Sequence, residues 1–104
     1  MEPLNMGGSI VSNNILSGHG KLKWCVREES LHPVDNGWRF YSDIDTAEYL
    51  AVHHNLTVCS WDTVFLIEPA VQIIFDQPVG TELTLIRENG EIFFCDTNSG
   101  ERVF

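Results

Sequence analysis

The chain has 104 residues, enough for one domain and too few for two. Apolar residues make up 43%, three tryptophans and six phenylalanines among them, which excludes global disorder. Six basic residues against fifteen acidic ones give a net charge of −9, which argues against direct nucleic-acid binding, because phosphate contacts need Lys and Arg.

The charge is unevenly spread. No Lys or Arg falls between Arg39 and Arg87, whereas seven acids do: Asp43, Asp45, Glu48, Asp62, Glu68, Asp76 and Glu82. A negative field over that half would attract and steer a basic protein partner. The plainer reading is that acidity keeps a small domain soluble. No apolar run approaches the ~20 residues of a membrane helix; Val64 to Ile67 stops at Glu68 and Pro69. The start, Met1-Glu2-Pro3-Leu4-Asn5, lacks the basic and apolar regions of a signal peptide. Cys25, Cys59 and Cys95 are odd in number and far apart, unlike a disulfide framework. The expected compartment is the cytoplasm, with no membrane contact.

Residues 1–6 read as a loose start to a single domain spanning 1–104. Gly7 to Ser12 reads as a short strand, and Ser17-Gly18-His19-Gly20 as a turn. Lys21 to Arg27 alternates, with Leu22, Trp24 and Val26 toward a core and Lys21, Lys23, Cys25 and Arg27 toward water. A loop through Pro33, Asp35, Asn36 and Gly37 leads to a second alternating strand, Trp38 to Ser42. It buries Trp38 and Phe40 and shows Arg39 and Tyr41. Asp45 is placed to cap a short helix over Thr46 to Val52, with Glu48 three residues on as in a capping box. His53, His54 and Asn55 close it. Leu56 to Cys59 reads as a brief strand. Ser60 caps a second helix through Trp61, Val64, Phe65 and Ile67. Pro69 fits the first turn of a third helical segment, along which Val71, Ile74 and Phe75 recur at helical spacing.

Glu82 to Arg87 and Glu91 to Cys95 are β-rich runs joined by Asn89-Gly90, a pair that tolerates the positive φ angles of a type I′ turn. They predict a C-terminal β-hairpin. Residues 97–104 read as a loose polar end that frays or tucks in its apolar Val103-Phe104. Strands come in groups rather than alternating with helices. The expected class is therefore α+β, a largely antiparallel sheet with two or three short helices.

Chemical motifs are sparse. Gly7-Gly8 and Gly18-His19-Gly20 lack the spacing of a phosphate loop, and no Cys-x-x-Cys or His-Glu-x-x-His occurs. His53 and His54 are adjacent, so on a helix they diverge by about 100° and suit an exposed helix end better than a metal. Cys25, between Lys23 and Arg27, would have a lowered thiol pKa if it faces water, but the sequence places no base or oxyanion site beside it. Cys59 and Cys95 read as small apolar core residues. Asp43 and Asp45 are the best-placed acid pair for acid–base work, though capping explains them more simply. Trp38-Arg39-Phe40-Tyr41 is the most distinctive patch, rich in the residue types of interface hot spots. No catalytic residue, metal or cofactor is expected.

The order Gly37-Trp38-Arg39-Phe40-Tyr41-Ser42, an acidic helix start with Glu48 and Tyr49, Asn55 before a short strand, and Pro78-Val79-Gly80 before the final strands resembles a known family. It is that of the Imm33-like immunity proteins, small bacterial proteins, and the resemblance runs over roughly residues 7–95. One departure is that Asp43 follows Ser42 directly, where the family often has Gly. The resemblance implies a cytoplasmic, antitoxin-like protein and carries no catalytic residues.

The expected function is thus a non-catalytic module that binds and neutralises a toxin domain, possible contacts being Arg39, Tyr41, Asp43, Asp45 and Glu48. An acidic surface suits a basic toxin that acts on nucleic acid. Two alternatives stand beside it. One is a small enzyme or ligand-binding domain with a pocket lined by aromatics such as Trp24 and Trp38. The other is a regulatory module, such as a homodimer joined through an exposed strand edge.

Overall fold

The computed structural model describes residues 6–104. Six strands form one sheet: β1 (Gly8–Ser12), β2 (Leu22–Arg27), β3 (Asp35–Ser42), β4 (Leu56–Ser60), β5 (Glu82–Glu88) and β6 (Glu91–Asp96), in the order β4-β1-β3-β2-β5-β6. Only β1 and β3 run parallel among these strands; the other four pairings are antiparallel. The class is α+β, as the grouping of strands implies.

Three α-helices, all short, connect the strands: α1 (Asn13–Ser17), α2 (Ala47–Leu50) and α3 (Trp61–Ile67). Two 3₁₀ segments join them, His53–Asn55 and Pro69–Ile74. Ser60 caps α3 by accepting from Thr63 N at 3.3 Å, and Pro69 opens the second 3₁₀ segment, both as the sequence implies. α1 was not legible as a helix, although Ser12 caps it and Gly18, at φ +83°, ends it. The expected helix over Thr46 to Val52 is shorter, and Thr46, not Asp45, caps it by accepting from Tyr49 N at 3.1 Å.

Ile15 of α1, Trp61 and Val64 of α3, and Val71 and Ile74 after it pack on one face of the sheet. Val11, Leu22, Cys25, Trp38, Phe40, Leu83, Leu85 and Phe94 meet them there. Trp38 stacks on Phe40 at 6.0 Å between ring centres, Phe40 lies 5.8 Å from Trp61, and Trp61 meets Phe75 edge-on at 4.7 Å. Such pairs contribute about 0.5–1.5 kcal/mol each beyond their buried area. The indole N–H groups are also satisfied: Trp38 donates to Phe75 O and Trp61 to Gln72 Oε1, both at 3.1 Å.

The alternation expected for β2 fails after its first residue. Leu22 pairs with Ser42 but Trp24 with Tyr41, so two steps on β2 answer one on β3. This bulge re-phases the strand. Leu22 and Cys25 point to the core, while Trp24 and Val26 turn to the opposite face and stay half-buried. The C-terminal hairpin is as predicted: Asn89 (φ +52°) and Gly90 (φ +80°) make its turn. Beyond it the chain doubles back, Val103 N donating to Phe94 O at 2.9 Å, and Phe104 packs against the core. Of the expected loose start, residues 1–5 lie outside the described residues, and Met6 accepts from Asn36 Nδ2 at 3.0 Å.

Candidate functional site

β3 lies inside the sheet, paired along both its edges with β1 and β2. Between Gly8↔Asp35 and Ile10↔Arg39, two steps on β1 span four on β3. Three residues of β3, Asn36 to Trp38, thus stand against Ser9 alone, and the irregularity centres on Gly37 at φ +88°. Any side chain there would collide with the carbonyl oxygen of Glu28. Asn36 Oδ1 holds the distorted backbone by accepting from Trp38 N at 2.9 Å and from Ser9 Oγ at 3.0 Å.

This irregularity brings Asp35 within reach of Arg39. Arg39 donates Nη1 and Nη2 to the two carboxylate oxygens of Asp35, both at 2.9 Å, and Nε to Glu28 Oε1 at 3.1 Å. Asp35 also accepts from Leu31 N and Gly37 N, each at 2.8 Å. The hydrogen bond from Arg39 is the main reason the Asp35 carboxyl sits well below the usual carboxylate range; burial opposes it and the two amides reinforce it. The expectation that Arg39 faces water is therefore corrected: only 2% of it is exposed. Its side chain does leave the Trp38 face, but there it is held by the two acids Asp35 and Glu28. Asp35 and Glu28 were missed in the sequence. Asp35 read as loop, and nothing in the spacing tied either acid to Arg39.

Tyr41 lies beyond Arg39 on the same face and is half-buried. Burial raises its phenol pKa, and the charge of Glu28 adds to the shift. The three acids that follow take different parts. Asp43 is exposed and accepts from Lys21 N at 2.9 Å. Asp45 accepts from Ser42 N at 2.6 Å, Asn14 Nδ2 at 2.8 Å and Ser12 Oγ at 2.9 Å, tying α1 to the end of β3. Burial works to raise its pKa, but these hydrogen bonds outweigh it and the carboxyl lies below its ordinary value. Glu48 is exposed on the first turn of α2.

Around Arg39 and Tyr41 the second face of the sheet carries no residue of the helix-packed core. One row across it runs Val58, Ile10, Arg39, Val26 and Glu82; the next holds Tyr41, Trp24, Thr84 and Cys95. Lys23 Nζ sits 5.1 Å from the Trp24 ring centre, and the Arg102 guanidinium 4.2 Å from that of Phe93. This face is half-buried, mixed aromatic and aliphatic, and ends in charged side chains.

Cys25 is sealed in the core, and burial pushes its thiol pKa upward, the reverse of the lowering that a water-facing position would bring. Cys59 and Cys95 are half-buried rather than fully inside, Cys59 packing against the core and Cys95 lying on the second face. Trp24 and Trp38 point to opposite sides of the sheet and so line no common pocket. An apolar groove of about 400 Å³ does open between the Pro69–Ile74 segment and β6, lined chiefly by Pro69, Ile73, Ile92, Phe94 and Phe104. No titratable side chain lines it.

No curated protein and no solved structure matches the chain. The immunity protein Imm33 domain matches it over residues 9–95, from the second residue of β1 to the last but one of β6. That match covers most of the chain and includes the Gly37-Trp38-Arg39 strand, so the chain belongs to the Imm33 immunity protein family.

Proposed function

We propose that this chain is a cytoplasmic immunity protein that binds one protein toxin and neutralises it by occupation rather than by catalysis. The observation that carries this reading is the family match across the whole sheet. Support for a basic partner comes from the segment between Arg39 and Arg87, where Asp43, Glu48, Asp62 and Asp76 are exposed and no cation intervenes. In this reading Tyr41, Asp43 and Glu48 touch the toxin at the end of β3 and the start of α2. Arg39 and Asp45 act from beneath, by holding that strand end in place.

The experiment is to express the tagged chain with the product of each neighbouring gene, measuring complex yield and cell survival. One toxic, basic product should form a stoichiometric complex and lose its toxicity. A folded chain that neither binds nor protects against any of them would overturn the proposal. Given that partner, the E48K/D62K double change should slow association by about tenfold or more at low salt and flatten its salt dependence, as expected of electrostatic steering. An unchanged on-rate would remove the acidic segment from the contact.

A further inference from the structure

The two edges of the sheet are finished differently. β6 pairs with β5 on one side, and on the other the returning tail shields it through the Cys95–Arg102 bridge and the bonds between Phe94 and Val103-Phe104. Among the described residues, β4 pairs only with β1. Its sequence, Leu56-Thr57-Val58-Cys59-Ser60, has no charge, no Pro and no bulge. Apart from its shortness, it carries none of the devices that normally blunt an edge.

The free hydrogen-bonding groups of this edge can be counted. Trp61 N donates to Gly7 O at 3.0 Å, continuing the register Ser9↔Cys59 and Val11↔Thr57. Alternate residues of an antiparallel pair bond to each other, so Cys59 and Thr57 turn their backbone groups to β1. Leu56, Val58 and Ser60 turn theirs outward. Leu56 N already donates to His53 O, and Ser60 O, as the capping residue of α3, takes the first bond of that helix. What remains is Leu56 C=O, Val58 N–H, Val58 C=O and Ser60 N–H.

That set is symmetric about Val58. We propose that β4 pairs antiparallel with β4 of a second copy of this chain, on a two-fold axis at Val58, joining two sheets into one. Val58 N–H and C=O bond to those of Val58 in the other copy, and each Ser60 N–H bonds to the other copy's Leu56 C=O. All four groups are satisfied, and the two that a longer ladder would need are already used within each chain. The side chains favour the same occupant. Val58 is 66% exposed, with Leu31 (72%) and Val34 (58%) beside it around a small apolar hollow of about 120 Å³. The two-fold axis places both hollows on one side of the joined sheet. Opposing this, each copy brings a charge of −9. The dimer therefore tightens as salt rises, the opposite of a complex held by charge attraction.

Sedimentation equilibrium of the purified chain across a wide concentration range, at low and high salt, tests the proposal. The expected result is a monomer–dimer equilibrium whose dissociation constant falls with salt, and which V58K weakens by about tenfold or more by setting two like charges opposite each other. Hydrogen exchange on the unmodified chain covers the case in which V58K misfolds: the Val58 and Ser60 amides should slow as concentration rises, while Thr57 and Cys59 do not change. A monomer under all conditions, a dimer indifferent to V58K, or exchange at Val58 independent of concentration would each overturn the proposal.

Discussion

The two faces of β3 achieve burial by opposite means. Trp38 and Phe40 enter an aromatic stack that needs only shape and two N–H partners. Arg39 enters a cage of one buried and one half-exposed carboxylate, whose every bond is directional. The apolar face tolerates imperfect packing at a graded cost, whereas the ionic face fails abruptly when one member is lost. Residue types that suggest an interface hot spot can therefore belong to the inside of a sheet. The distinguishing feature is whether an acid lies within reach.

The sharpest way to break this contrast is to remove one partner on each side. R39M, which leaves the Asp35 carboxylate without its cation, should cost about 3–5 kcal/mol of unfolding free energy, and W38A should cost a similar amount, about 3–5 kcal/mol; urea unfolding measures both. Adding D35N to R39M should recover part of the loss, because the uncompensated charge goes with it, whereas no second change near W38A has that effect. If D35N and R39M simply add, the two residues are not a pair in the energetic sense.

G37A comes next. It forces a side chain into positive φ and against Glu28 O, and should cost about 1–3 kcal/mol in the same measurement. A neutral G37A would mean that the irregularity in β3 does not need this backbone shape.

The smallest effect is in pH. Asp35 is depressed in the folded state and ordinary in the unfolded one. Its contribution is thus fully present above about pH 4 and is lost as pH falls below that toward its folded value. Unfolding free energy should decline between about pH 4 and 2, and less steeply in D35N. Equal slopes would assign the acid sensitivity to other carboxylates, Asp45 first.

Local chemistry was legible where it acts over a few residues. Asn89-Gly90 announced the hairpin, Ser60 a helix start and Pro69 a fresh helical turn, because each effect is confined to neighbouring backbone. The misreadings came from distant partners. The bulge at Leu22 and Trp24 exists only against β3, so alternation alone turned Cys25 toward water and Trp24 inward. Arg39 is enclosed by Glu28, eleven positions back, through a loop that had no predicted shape. Asp45 matched a capping residue by spacing, but found Ser12 and Asn14 instead, more than thirty positions away.

The position of β1 also bears on how the chain folds. β5 and β6 meet across two residues and can pair within microseconds of being available. β1 lies between β3 and β4, so its nearer partner begins at Asp35 and its farther one ends at Ser60. On a growing polypeptide β1 must wait until β4, which ends at Ser60, has emerged before both its edges are covered. Long-range closures of this kind slow folding. The slowest step should be the enclosure of β1, and variants that loosen the loop before β3 should delay it while leaving the terminal hairpin's rate untouched.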